Sequence, residues 1–152
     1  MSHFPVNHHL RPVYRVITAL VSVYFLVFGI IGFAQTTDLD FFAQTGTKLV
    51  LGMKANPAFS VLSIVLGAVG LLAAVVGRNI DVKVNWWLSS IHLIIGTAML
   101  AFLRTDLNVL GFSMSNVIVV YSAGMLLMGA AVYGYVGTPA EADAEESFRH
   151  SH

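Results

Sequence analysis

The stretch Pro57-Ala58-Phe59-Ser60-Val61-Leu62-Ser63-Ile64-Val65-Leu66-Gly67-Ala68-Val69-Gly70-Leu71-Leu72-Ala73-Ala74-Val75-Val76-Gly77 carries no charge between Lys54 and Arg78. A helix needs about 20 mostly apolar residues to cross a hydrocarbon core about 30 Å thick. This run has that length. Three more segments read the same way: Val13 to Ala34, Val84 to Leu103, and Ser115 to Val136 within the uncharged stretch from Leu107 to Ala140. None alternates apolar and polar residues as barrel strands do. The expected fold is therefore all-α, a polytopic four-helix transmembrane bundle.

Composition agrees. Of 152 residues, 57% are apolar and 11% charged, against roughly 25% charged in a soluble domain. Mean hydropathy is +0.77. Eight Lys+Arg balance eight Asp+Glu, so no basic excess points to nucleic acid. The absence of cysteine excludes disulfides, thiolate metal sites and a cysteine nucleophile. The partner this composition demands is a lipid bilayer.

Charge placement orients the chain. With the N-terminus inside, Arg11, Arg15, Arg78, Lys83 and the distant Arg149 are cytoplasmic, and Lys48, Lys54 and Arg104 lie outside. Tyr14, Trp86, Trp87, Tyr133 and Tyr135 fall at the cytoplasmic ends, where amphipathic rings favour the headgroup layer. Both termini are expected in the cytoplasm. Residues 1–12 then form an N-terminal arm, 13–137 the transmembrane domain, and 138–152 a mobile acidic tail. Gly32-Phe33-Ala34 offers a small-x-small cleavage site, but the run before it exceeds a signal-peptide core, so helix one is expected to stay.

The chain also reads as a tandem duplication of a helical hairpin. Thr37-Asp38-Leu39-Asp40 is echoed by Thr105-Asp106-Leu107-Asn108, and Val50-Leu51-Gly52 by Val109-Leu110-Gly111. Asn56 and Asn116 follow as counterparts, expected to cap helices two and four, with Ser113 and Ser115 as alternative caps. Ser63, Gly67, Gly70, Ala74 and Gly77 form a small-residue stripe on helix two, and Ala123, Ala130, Gly134 and Gly137 a similar one on helix four. Such stripes let helices approach closely in lipid. Tight packing of helices two and four within the bundle is expected, with a dimer or partner interface as the alternative. Leu49-Val50-Leu51 is β-prone, fit to lie at the interface or to pair with Val109-Leu110.

Chemistry is sparse. Asn85, Ser89, His92, Gly96 and Met99 share one face of helix three, and His92 is the titratable side chain deep within a span. Intramembrane polar groups often mark function, here for a proton or a quinone carbonyl. The blander reading, a neutral imidazole bonded to Ser89 or a neighbouring helix, is preferred because no intramembrane carboxylate accompanies it. Bis-His haem lacks a second buried histidine, although Met99, Met125 or Met128 are conceivable partners. The terminal His3, His8, His9, His150 and His152 lack metal-site spacing. Asp38, Asp40 and Asp106 gather at the outer end near Lys48, Lys54 and Arg104. No catalytic residue, metal or cofactor is expected.

The words Pro5-Val6-Asn7-His8, Leu10-Arg11-Pro12, Leu39-Asp40-Phe41-Phe42 and Asn56-Pro57-Ala58-Phe59, with Leu103-Arg104-Thr105-Asp106 and Leu110-Gly111-Phe112-Ser113, carry a resemblance. Over roughly His8 to Gly137 the chain resembles an uncharacterised, mainly actinobacterial family of small four-helix membrane proteins. The resemblance implies a bacterial inner (plasma) membrane and no activity. The functional expectation is a non-enzymatic accessory or scaffold subunit, associating with other membrane subunits or with itself. The alternatives are a small-solute or ion transporter, or a quinone- or pigment-binding partner of an electron-transfer complex.

Overall fold

The computed structural model describes residues 7–141 together with Asp143 and Ser147. Four helices are long and apolar enough to cross a membrane. They are α1 (Arg11–Gln35), α2 (Pro57–Val76), α3 (Ile80–Phe102) and α4 (Met114–Tyr133). At 1.5 Å per residue, even the shorter α2 and α4 span about 30 Å, the thickness of the hydrocarbon core. The protein is a multi-pass membrane protein with the expected all-α architecture.

Its solvent can be read from which residues lie inside. Large apolar side chains point outward, among them Leu20, Leu72, Val75, Ile94 and Met125. Small and polar ones point inward: Thr18, Ser22, Ser60, Ser63, Asn85 and Ser89. Water would reverse that arrangement, whereas lipid makes outward leucine free and leaves polar groups to find partners inside.

The helices pair within hairpins, α1 on α2 and α3 on α4, with lesser contacts between α1 and α4 and between α2 and α3. The α2 stripe is buried, as are Ala123, Ala130 and Gly134, but α4 ends at Tyr133, so Gly134 and the half-buried Gly137 lie past the helix; α2 and α4 do not close on one another as a helix pair. Gly67 of α2 faces the backbone of α1, where an added Cβ would sit 2.6 Å from Leu26 N and 2.7 Å from Ser22 O. Gly29 of α1 returns the approach, 2.6 Å from Ser60 O. Glycine on both sides brings the two backbones together, so dispersion does what apolar burial cannot do in lipid. On α4, Gly124 meets Leu93 and His92 of α3, and just past the helix end Gly134 meets Val82.

Loop one folds as a small ribbon. β1 (Lys48–Val50) pairs antiparallel with β2 (Met53–Ala55). Leu51 and Gly52 turn between them at φ 45° and 85°, the positive pair that suits strand twist. The β-prone Leu49-Val50-Leu51 thus finds its partner inside its own loop rather than at Val109-Leu110. Val50, Met53 and Ala55 face inward and join Phe28, Phe59 and Phe112 in a core that plugs this end of the bundle.

Asparagines hold the ends. Asn56 caps α2, its side chain accepting from Phe59 N at 2.8 Å, and donates to Val109 O and Ala43 O. Asn116 sits inside α4, behind the N-cap Ser113, and is not the cap itself. Its amide is spent elsewhere, accepting from Lys54 N at 3.0 Å and donating to Lys54 O at 2.7 Å, as a neighbouring strand would. It also accepts from Ser113 N and Ser113 Oγ. At the opposite end Asn79, in the left-handed region, makes the same two-way pairing with Val136. There the N-terminal arm is pinned by Asn7 N on Tyr135 O and Arg11 Nε on Gly134 O. Thr138 and Glu141 exchange capping bonds where the tail turns helical. Most of the tail read as mobile lies outside the described residues, as do His3, Arg149, His150 and His152.

Candidate functional site

The polar face of α3 points into the bundle. Asn85, Ser89 and His92 are all buried, and so is Asp81 one turn earlier. Asp81 was not singled out, because the apolar run of helix three starts at Val84, beyond Lys83. The helix instead starts at Ile80, and a first-turn carboxylate suits its N-terminal dipole. A carboxylate therefore does accompany His92. Eleven residues separate the two along one face, about 16 Å of rise, which carries His92 near mid-helix. The spacing 81, 85, 89, 92 was the legible signal.

α1 supplies the facing residues. Arg15 Nε lies 3.9 Å from Asp81 Oδ2, too long for a hydrogen bond. The guanidinium is turned to the end of α2, donating to Ala74 O at 2.7 Å and to Val75 O at 3.3 Å. It thereby satisfies carbonyls that the helix end leaves open. Thr18 Oγ1 donates to Tyr14 O at 3.0 Å and accepts from Asn85 Nδ2 at 2.8 Å. Phe25 meets the His92 ring edge-on, centroids 4.8 Å apart. Ser89 Oγ donates its one hydrogen to Trp86 O at 3.0 Å, with Met128 Sδ 3.8 Å away as the weaker alternative acceptor.

His92 bonds neither Ser89 nor another helix. Its Nδ1 lies 2.7 Å from the carbonyl of Leu88 on its own helix. A carbonyl only accepts, so Nδ1 carries the hydrogen and Nε2 keeps a bare lone pair. Nε2 has no partner, and neither do Asp81 Oδ1, Asn85 Oδ1 or Ser63 Oγ. Beside His92 lies a void of about 10 Å³, lined by Ser22, Phe25, Gly67, Leu88 and Leu127 among others. That is about the room one water needs.

The other candidates stay apart. Met99 is buried in the aromatic core, while Met125 is exposed to the outside. His8 stacks on His9 and packs near Tyr14 and Tyr133 at the end that holds the arm. Among the described residues no three His, Asp or Glu side chains gather as a metal group. Asp38 and Asp40 line an open surface cavity bounded by residues 38–45. Among the described residues the ion pair within 4 Å is Arg15–Asp81, so Lys48, Lys54 and Arg104 do not neutralise the outer aspartates at contact.

Residues 15–82 match the family model of a domain of unknown function, DUF4383. The matched segment begins at Arg15 and ends just past Asp81, so both members of the ion pair fall within it. It agrees with the resemblance to an uncharacterised family and carries no activity with it. No curated protein and no solved structure matches the chain.

Proposed function

We propose that this protein is a non-enzymatic accessory or scaffold subunit of a bacterial plasma-membrane complex, with both termini in the cytoplasm. The observation that carries the reading is the closure of the bundle at its centre. Gly29 and Gly67 draw α1 and α2 to backbone contact, and the void beside His92, about 10 Å³, is far too small for a solute. Solute transporters place their site near the bilayer midplane between repeats, where here side chains fill the space. The exposed faces of the helices are apolar and suit lipid or neighbouring helices. Orientation rests on Arg11, Arg15, Arg78 and Lys83 at the end where α1 begins and α4 finishes.

Duplication of a hairpin belongs to the same reading. Ser60, Ser63, Gly67, Gly70 and Ala74 are buried on α2, and their counterparts Val120, Ala123, Leu127, Ala130 and Gly134 are buried at the α4 end. On α1 and α3 the buried counterparts are Thr18 and Asn85, Ser22 and Ser89, Gly29 and Gly96. This register runs one residue out of step with the Thr37–Thr105 match in the loops. Thr18 bonds Asn85 directly, as counterparts do when they lie beside the axis relating two repeats.

Native electrophoresis after extraction in mild detergent tests the reading. The chain is expected in a larger assembly of fixed stoichiometry, with reporters on both termini facing the cytoplasm. A protein that migrates alone and sustains solute flux in proteoliposomes overturns it.

A further inference from the structure

Three of the unpartnered atoms on α3 have one property in common: Asp81 Oδ1, Asn85 Oδ1 and His92 Nε2 are all acceptors. Their neighbours force this. Leu88 O holds the imidazole hydrogen on Nδ1. Thr18 spends its own hydrogen on Tyr14 O, so it takes the amide Nδ2 of Asn85 and leaves Oδ1 without a donor. Arg15 has turned its N–H groups to Ala74 and Val75, and stands 3.9 Å from the other oxygen of Asp81. A buried acceptor without a donor costs about 1–3 kcal/mol. A row of them on one helix face calls for a species that brings hydrogen.

We propose that this row is a proton-uptake site, entered past Arg15 and Asp81 at the end where α1 begins and α4 finishes, and closed at His92. Arg15 is part-exposed at the mouth and Asp81 is buried behind it. At the mouth Asp81 Oδ1 accepts a hydrogen bond from the entering hydronium, one helical turn from Asn85, whose Oδ1 accepts on the same face. At the inner end a hydronium in the void beside His92 gives its proton to Nε2. The new N–H is then accepted by the neutral water left behind, and the imidazolium holds the charge. Past His92 the path is shut by Phe28, Phe59, Met99 and Phe112.

The surrounding groups leave Asp81 as the internal counter-charge. On α1 the ionisable neighbours are Arg15 at the mouth and Tyr24, whose phenol donates to Leu51 O at the far end. α2 has no titratable side chain from Pro57 to Val76. α4 brings Tyr121, whose phenol is 2.8 Å from Thr97 Oγ1.

The test uses the full chain in lipid nanodiscs with His3, His8, His9, His150 and His152 changed to Gln, so that His92 is the sole histidine. Imidazole nitrogen NMR is followed between about pH 8 and pH 5, where histidine normally changes charge. The neutral Nδ1–H form at the alkaline end is expected to become the imidazolium on acidification, with its ring N–H exchanging into heavy water. In Asp81→Asn, which removes the acceptor charge at the mouth, exchange of the His92 ring N–H is expected to be slower. An imidazole that stays neutral and unexchanged across the range overturns the proposal. So does a signal indifferent to pH that moves when sodium replaces choline, which would make this a metal-ion site. The parent chain's own titration decides even if Asp81→Asn fails to fold.

Discussion

The loop end of the bundle and the face of α3 are both polar and both buried, yet they are built in opposite ways. At the loop end Asn56, Asn108 and Asn116 each use their amides in several bonds, to Val109, Ala43, Phe112, Leu103, Lys54 and Ser113. On α3 the acceptors of Asp81, Asn85 and His92 stand without donors. The asparagines replace missing backbone partners where loops meet helix ends, and so hold the fold together. The α3 face contributes little to that and retains free capacity in the middle of a lipid-embedded bundle. Polarity serves architecture at one place and is left available for chemistry at the other.

Substitutions can break that contrast. Gly67→Leu acts on the helix pair that supports both regions, because its side chain must enter the α1 backbone at Leu26 and Ser22; a loss of about 3 kcal/mol is expected from such overpacking. Failure to recover monodisperse protein in mild detergent is the readout. Asn116→Ala strands Lys54 N and O and should cost about 3 kcal/mol in mixed-micelle unfolding. Asn56→Ala removes a cap and two loop bonds, at about 2 kcal/mol. His92→Leu keeps the volume and removes an unpartnered atom, so stability should change by no more than about 1 kcal/mol. Ser63→Ala deletes a hydroxyl without a partner, and should shift stability by about 0.5 kcal/mol or less, upward if at all. If His92→Leu proved costlier than Asn116→Ala, the division between an architectural end and an available face would fail.

Much of the fold was legible because the signals are local. Lys54, Arg78, Lys83 and Arg104 bound the apolar runs, and Asn56-Pro57 announces a helix start in two residues. The stripes on α2 and α4 were legible as buried faces too, since small residues at spacings of four and three pack inward in lipid whatever the partner. Their partner was not legible. Gly67 meets α1 because the backbone at Ser22 and Leu26 lies there to receive it, and nothing in helix two reports that. Asp81 went unnoticed for a related reason. The apolar run begins at Val84, beyond Lys83, but packing against α1 near Arg15 buries Asp81 within the first turn of α3. Asn116 reads as a cap from its place before an apolar run, and only the ribbon arriving at Lys54 diverts its amide.

Length and charge spacing alone settled that four helices cross lipid, since spanning a hydrocarbon layer depends on what each segment contains. Which buried groups are answered and which are left open was decided by the packed bundle, because a hydrogen bond needs two partners, and the second comes from a distant part of the chain.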